Sequence, residues 1–399
     1  MKNFQDFKID KWIQTHASTL GSVIGAISLS ELQSYAPDES IIDIDLTLEY
    51  GTFKGSLKLR ERIAELYNSP ETGVTLTADN VVITPGSSLA NYLVLSILAG
   101  PGDHIICQYP TYSQLFLVPQ YQGAEVSLWK LKRGSESWEA SLDELKAMIR
   151  PNTKAIIINN PNNPTGAVLS CSTLSSLVSL VATHPHITLL SDEVFRPLFH
   201  TPSPPPPSLL SVSTTSHPNS AVTASLSKAY GLPGIRIGWI VSPSISLLER
   251  IMSIRHYTTL AVSVLDQQIA TFALSPGVYP KIIERNLGIC RRSIEIIGEW
   301  VERNGEKVEW IAPKGAGVAV VRVRKGNKDG KGGYVSDVKF AGGLVEETGV
   351  GLVPLKYAFG EHEGTDEELE GCFRISLGVE EGVLRRALGE VEGYLGRFE

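Results

Sequence analysis

Apolar positions in this chain recur in two rhythms. Between Ser56 and Tyr67, Leu59, Ile63 and Leu66 fall on one helical face among charged neighbours. That spacing predicts an amphipathic helix opened by a Ser56 cap. Further on, short unbroken apolar runs alternate with helical stretches. Val81–Thr84, Ile105–Cys107, Ala155–Ile158, Ile187–Leu190 and Ile237–Val241 predict buried strands, while Leu89–Leu98 and Thr173–Ala182 predict helices between them. Strands that are apolar on both sides need cover on both sides, so the expected fold is α/β with a mainly parallel sheet between helices. Ligands on such sheets gather at the carboxyl ends of the strands. Gly86, Asn163 and Asp192 each follow a predicted strand and are expected to converge there.

Length changes this picture by implying more than one unit. A chain of 399 residues exceeds what one hydrophobic core usually supports, so two domains are expected. A 42% hydrophobic and 20% charged composition is that of a soluble globular protein. With a net charge of −7 and no basic stripe, nucleic acid and acidic membrane surfaces are poor partners. Cys107, Cys171, Cys290 and Cys372 are far apart, and the eight histidines show no ligand spacing. Reduced thiols, no metal and a cytoplasmic location are therefore expected. Met1–Trp12 lacks the apolar core of a signal peptide, and no apolar run approaches the roughly 20 residues of a membrane span. Two segments are expected as surface insertions. His200–Ser220 carries Pro204–Pro207 in a serine-rich setting and predicts an extended, solvated loop, and Lys325–Tyr334 is rich in glycine and lysine. The acidic stretch Glu361–Glu370 predicts a solvated face.

Chemistry concentrates between Ser225 and Trp239. Lys228 lies among small hydroxyl residues, a glycine-rich turn follows, and Arg236 comes after it. A lysine attacks an aldehyde only when neutral, which requires burial or nearby positive charge. Two serines and a planar guanidinium suit phosphate oxygens. Gly86-Ser87-Ser88 joins a predicted strand to a helix, where backbone N–H groups and the helix dipole favour an anion.

The order of Tyr50, Gly86-Ser87-Ser88, Tyr112, Asn163-Pro164-Thr165-Gly166, Asp192, Lys228, Arg236 and Arg374 resembles the class I/II aminotransferases, which are fold-type I enzymes dependent on pyridoxal phosphate. The resemblance runs from about residue 45 to the C-terminus. It implies a large cofactor-binding domain with a seven-stranded type of sheet over 46–280, and a smaller α+β domain from 1–45 and 281–399. It implies a Schiff base at Lys228, which also carries the substrate proton. Ser87, Ser88, Ser225, Ser227 and Arg236 would bind the phosphate. Asp192 would hold the ring nitrogen protonated. Asn163 would donate to the phenolic oxygen, and Tyr112 would stack on the ring. Tyr50 would reach a neighbouring subunit's phosphate, making the active unit a homodimer. Arg374 would grip the substrate α-carboxylate in parallel bonds. Asn163 and Gly25 would also contact substrate, although Val23–Leu32 lacks the Gly-x-Pro that some relatives carry there.

One departure is Phe195, three residues after Asp192, where the family often has a tyrosine that bonds the phenolic oxygen. The expected reaction is transfer of an amino group from an L-α-amino acid to a 2-oxo acid. Elimination or ring closure is the alternative, because the same residues serve both and Ile254–Leu260 is similar to the capreomycidine-synthase type of arginine-derived cyclase. A non-catalytic sensor with this fold would be expected to carry a basic DNA-binding module, and the short stretch before Tyr50 is not basic.

Overall fold

The computed structural model describes residues 7–16, 25–69, 73–201, 204–213, 215–325, 333–360 and 366–398. Most of the glycine- and lysine-rich stretch 325–334 and half of the acidic stretch 361–370 lie outside them.

The apolar runs fold into two sheets. The larger contains β1 (Val81–Thr84), β2 (His104–Tyr109) and β3 (Glu125–Lys130). After a small hairpin, β4 (Lys132–Arg133) and β5 (Trp138–Glu139), it continues with β6 (Thr153–Asn159), β7 (Thr188–Asp192), β8 (Ser220–Ser225) and β9 (Gly238–Val241). Seven strands lie in the order β1-β9-β8-β7-β6-β2-β3. Every neighbouring pair from β8 to β3 is parallel, whereas β9 runs antiparallel to both β1 and β8.

Successive residues of these strands serve opposite faces. Ile156 and Ile158 pack in one apolar cluster with Ile83, Leu189 and Val222, while Ala155 and Ile157 pack in another with Val82, Leu190 and Ile240. The helices Leu57–Glu65, Cys171–Ala182 and Val264–Ala273 cover the first face, and Ser87–Leu98 and Ile245–Arg255 the second. Ser56 stands at the predicted start of its helix but makes no side-chain capping bond.

The second sheet is antiparallel, ordered β10-β11-β13-β12, from β10 (Val308–Trp310), β11 (Val318–Val323), β12 (Val353–Pro354) and β13 (Cys372–Ser376). The helix Lys8–His16 rests beside it, with Trp12 Nε1 donating to the Leu352 carbonyl at 2.8 Å.

The proline-rich segment is only in part the solvated loop its composition predicts: Pro204, Pro205, Thr215, Ser216 and Pro218 are exposed, but its centre is not. Pro206, Ser208–Ser211 and Ser213 are buried, and Leu209–Ser213 forms a short helix. Glu193 explains the anchoring. Its buried carboxylate accepts from Ser208 Oγ at 2.9 Å and from the Leu209 N–H at 2.9 Å, while Arg196 donates to the Pro206 carbonyl. The second acid of the Asp192-Glu193 pair therefore faces away from its neighbour and holds this segment down.

Candidate active site

Topology brings the candidate residues to one edge of the larger sheet. Asp192 ends β7 and Ser225 ends β8. The reversed direction of β9 carries its first residue to that same edge, where Gly238 pairs with both Thr84 and Ser225. Arg236 thereby arrives beside the turn after β1.

That turn is shaped for close backbone approach. Gly86 has φ 82°, and a Cβ on it would lie 2.5 Å from Arg236 Nη2. Gly86 precedes the helix Ser87–Leu98 without any side-chain cap, so the first-turn N–H groups stay available. Arg236, itself left-handed at φ 52°, donates through Nη1 to Ser227 Oγ at 3.3 Å and to the Pro233 carbonyl at 2.9 Å. Ser225 is fully buried, and its hydroxyl accepts from the Ser227 N–H at 3.3 Å. Ser225, Ser227, Arg236 and the helix start at Ser87–Ser88 thus meet at one edge of the sheet.

Asp192 lies nearly buried, and burial raises its carboxyl above the ordinary range, against the Asn91 and Val194 hydrogen bonds and the nearby Lys228. Asn91 Nδ2 donates to Asp192 Oδ2 at 2.9 Å, and Asn91 Oδ1 accepts from Thr223 Oγ1 at 2.5 Å. The Val194 N–H holds Oδ1 at 3.0 Å. A buried carboxylate fixed at both oxygens is placed to meet a cation.

Lys228 is surrounded by charge. Burial pulls its amine down to about 8, Arg374 and Arg236 push the same way, and Asp10 and Asp192 oppose them. Uptake of pyridoxal phosphate by the apoprotein should therefore quicken as pH rises through about 8 and slow about tenfold per unit below it, as the neutral fraction falls. Stopped-flow absorbance between pH 6 and 10 measures this, and a flat profile would refute it.

Arg374 reaches the site from β13. It is 3% exposed, and burial lowers its guanidinium to about 10. Its Nη1 donates to Asn163 Oδ1 at 3.1 Å, tying the smaller sheet to the loop after β6. Because a guanidinium only donates, this contact fixes the amide and leaves Asn163 Nδ2 as a donor for a ligand. Burial pushes the Tyr112 phenol up to about 12, with Asp10 adding to the rise and Ser88 opposing it. Gly25 lies against the turn after Lys228, its carbonyl accepting from Arg285 at 3.0 Å, and the Ile27 N–H donates to the Gly231 carbonyl. Tyr50 stands apart, 80% exposed.

The sequence reading missed Asn91, Thr223 and Asp10. Asn91 had a readable sign, since an amide inside the apolar run Leu89–Leu95, one turn beyond Ser88, needs a buried partner. Thr223 and Asp10 had none.

These residues fit pyridoxal phosphate: an uncapped helix start and an arginine for a phosphate, a buried acid for a ring nitrogen, and a lysine of lowered basicity. The model of aminotransferase class I and II matches residues 27–391. The chain belongs to that family. A PLP-dependent aminotransferase from Streptococcus suis superposes with a TM-score of 0.85 at 30% identity, covering 100% of this chain and 99% of that one. The chain is 28% identical to capreomycidine synthase of Streptomyces vinaceus over 80% of its own length and 78% of that protein. It is 33% identical to an arginine–pyruvate transaminase of Pseudomonas aeruginosa, over 49% of this chain and 48% of that protein. The fold is the fold-type I α/β architecture, and members of the family are enzymes. No helix among the described residues is long and apolar enough to cross a membrane.

Proposed function

We propose that this class I/II aminotransferase family member binds pyridoxal phosphate covalently at Lys228 and transfers the amino group of an L-α-amino acid to a 2-oxo acid. One observation carries the reading: the amine of Lys228 is drawn down to about 8 by burial and by the Arg374 charge, with the Asp192 carboxylate opposing.

When bound, the cofactor supplies an electron sink for charge left at the substrate α-carbon. Asp192 keeps the ring nitrogen protonated, and Asn91 and the Val194 N–H hold the acid in place. The cradle of Ser87, Ser88, Ser225, Ser227 and Arg236 fixes the phosphate, Asn163 donates to the phenolic oxygen, and Tyr112 covers the ring. Arg374 and Asn163 orient the substrate carboxylate beneath the Gly25 segment. Displaced from the linkage by the substrate amine, the free Lys228 Nζ would take the α-proton and carry it for return.

Residues 46–280 form the cofactor-binding unit in this reading, with 1–45 and 281–399 forming the other. The active unit is a homodimer. Tyr50 belongs to an exposed apolar series with Ile44 and Leu48, the kind of surface that a second subunit covers. Sedimentation of the holoprotein should give twice the 43.4 kDa chain mass.

A second reading, ring closure or elimination, is favoured by the identity to capreomycidine synthase across most of the chain. Incubation of the holoprotein with amino acids separates the two. Pyridoxamine phosphate accumulates under transfer, whereas ammonia or a cyclised product with the aldehyde form retained marks the alternative.

Phe195 gives a further expectation. It is buried in a small cluster with Val194, Ala316 and Val318. Phe195→Tyr should lower the pH at which the bound cofactor's visible absorbance titrates, by adding a donor at the phenolic oxygen. A hydroxyl that fails to reach it would stay buried without a partner, leaving the titration unmoved and costing about 1–3 kcal/mol of stability.

A further inference from the structure

The loop that follows β6 has few backbone donors with which to hold itself. Pro161 and Pro164 carry no N–H, so anchoring between Asn159 and Thr165 falls largely to side chains. Asn159 is the last residue of β6, pairs with Asp192 at the end of β7, and is 1% exposed. Both ends of its amide are engaged. Nδ2 donates to the Asp192 carbonyl at 3.0 Å, and Oδ1 accepts from the Asn163 N–H at 2.7 Å. Its own N–H donates to the buried Gln108 Oε1 at 2.8 Å, which extends the β2–β6 ladder past its last pair, Cys107 and Ile157.

One side chain therefore spans the two residues that face the cofactor ring in the reading above, Asp192 for its nitrogen and Asn163 for its phenolic oxygen. An amide can do this because it carries a donor and an acceptor on separate atoms, whereas a carboxylate would set an acceptor against the Asp192 carbonyl. Arg374 holds the Asn163 side chain through Oδ1 at 3.1 Å, so Asn159 supplies the hold on its backbone. The next residue serves differently. The Asn160 N–H also donates to the Asp192 carbonyl, at 3.0 Å, but its Oδ1 accepts from the Leu169 N–H at 2.9 Å.

We propose that Asn159 is a positioning residue of this site, setting the spacing between Asp192 and Asn163 so that both can meet the cofactor ring at once. This deepens the reading of Lys228 as the cofactor anchor and rests on it.

The test is the pH titration of the bound cofactor's visible absorbance in Asn159→Leu, Asn159→Ser and Asn160→Ala. In Asn159→Leu the Asn163 N–H loses its acceptor, the loop shifts, and the donor at the phenolic oxygen weakens. The midpoint should rise by roughly half to one pH unit, the equivalent of one ordinary hydrogen bond. Turnover should follow, with kcat/KM lower by ~10- to 100-fold. Serine offers one polar atom where the amide offers two, so Asn159→Ser should move the midpoint the same way, and it carries the test should the leucine variant not fold. Asn160→Ala should lose thermal stability with its midpoint unmoved, because its backbone bond to Asp192 remains. A midpoint unmoved in Asn159→Ser, or moved equally in Asn160→Ala, overturns the assignment and leaves the Lys228 reading intact. If borohydride mapping finds no cofactor on Lys228 in the parent, both readings fall.

Discussion

Lys228→Ala is expected to lower kcat/KM by at least ~10³-fold, because it removes the covalent anchor and the proton carrier together. Cofactor should still bind, since the cradle that holds the phosphate is built from other residues. Gly86 begins the uncapped helix, and Arg236 Nη1 is held by Ser227 and the Pro233 carbonyl without help from the lysine. The variant should therefore retain a dialysable yellow cofactor, unlike the parent. Lys228→Arg should be no better, because a guanidinium stays charged where the lysine is drawn down to about 8. Borohydride reduction of the parent followed by peptide mapping should mark Lys228. A label on another lysine, or turnover by Lys228→Ala within tenfold of the parent, would remove the basis of the functional reading.

What the sequence revealed, and what it hid, divides by the range of the physics involved. Strands such as Val81–Thr84 and Ala155–Ile158 were legible because a strand covered on both faces must be apolar at successive positions, and that is a local pattern. The residues at their ends were legible through turn chemistry and family likeness. Asp10 was not, because its charge bears on Lys228 and Arg374 across the fold, and no spacing in the chain encodes that approach. Composition held at Pro204 and Pro205, which are exposed, and misled at Pro206 and over 208–211. Prolines and serines read as solvated, yet Glu193 supplies a buried carboxylate that satisfies Ser208 and the Leu209 N–H, so the following segment can leave water. Ser56 shows the reverse case, a residue of the right type at the right place whose hydroxyl makes no cap.

The reversed direction of β9 leads to the other large effect. Short apolar runs carry no direction, so Ile237–Val241 read the same whether parallel or antiparallel. The antiparallel pairing sets Gly238 opposite both Thr84 and Ser225, the last residues of β1 and β8. A Cβ on Gly238 would lie 2.3 Å from the Gly86 carbonyl carbon and 2.6 Å from the Ser87 nitrogen. Both are backbone atoms of the phosphate turn, so no side chain can swing away to make room. Gly238→Ala must therefore push the turn from β9 or part β9 from its neighbours. Overpacking of this kind costs about 1–3 kcal/mol of stability. The larger consequence falls on the site, because displacing the Ser87 and Ser88 N–H groups by about 1 Å can cost on the order of 100-fold in function. Cofactor affinity should fall by a similar factor while Asp192 and its Asn91 bond stay in place. Excess pyridoxal phosphate should then restore much of the rate, which it cannot do for Lys228→Ala. A Gly238→Ala protein that binds cofactor as tightly as the parent would show that the turn tolerates the added carbon, and that the phosphate is held elsewhere.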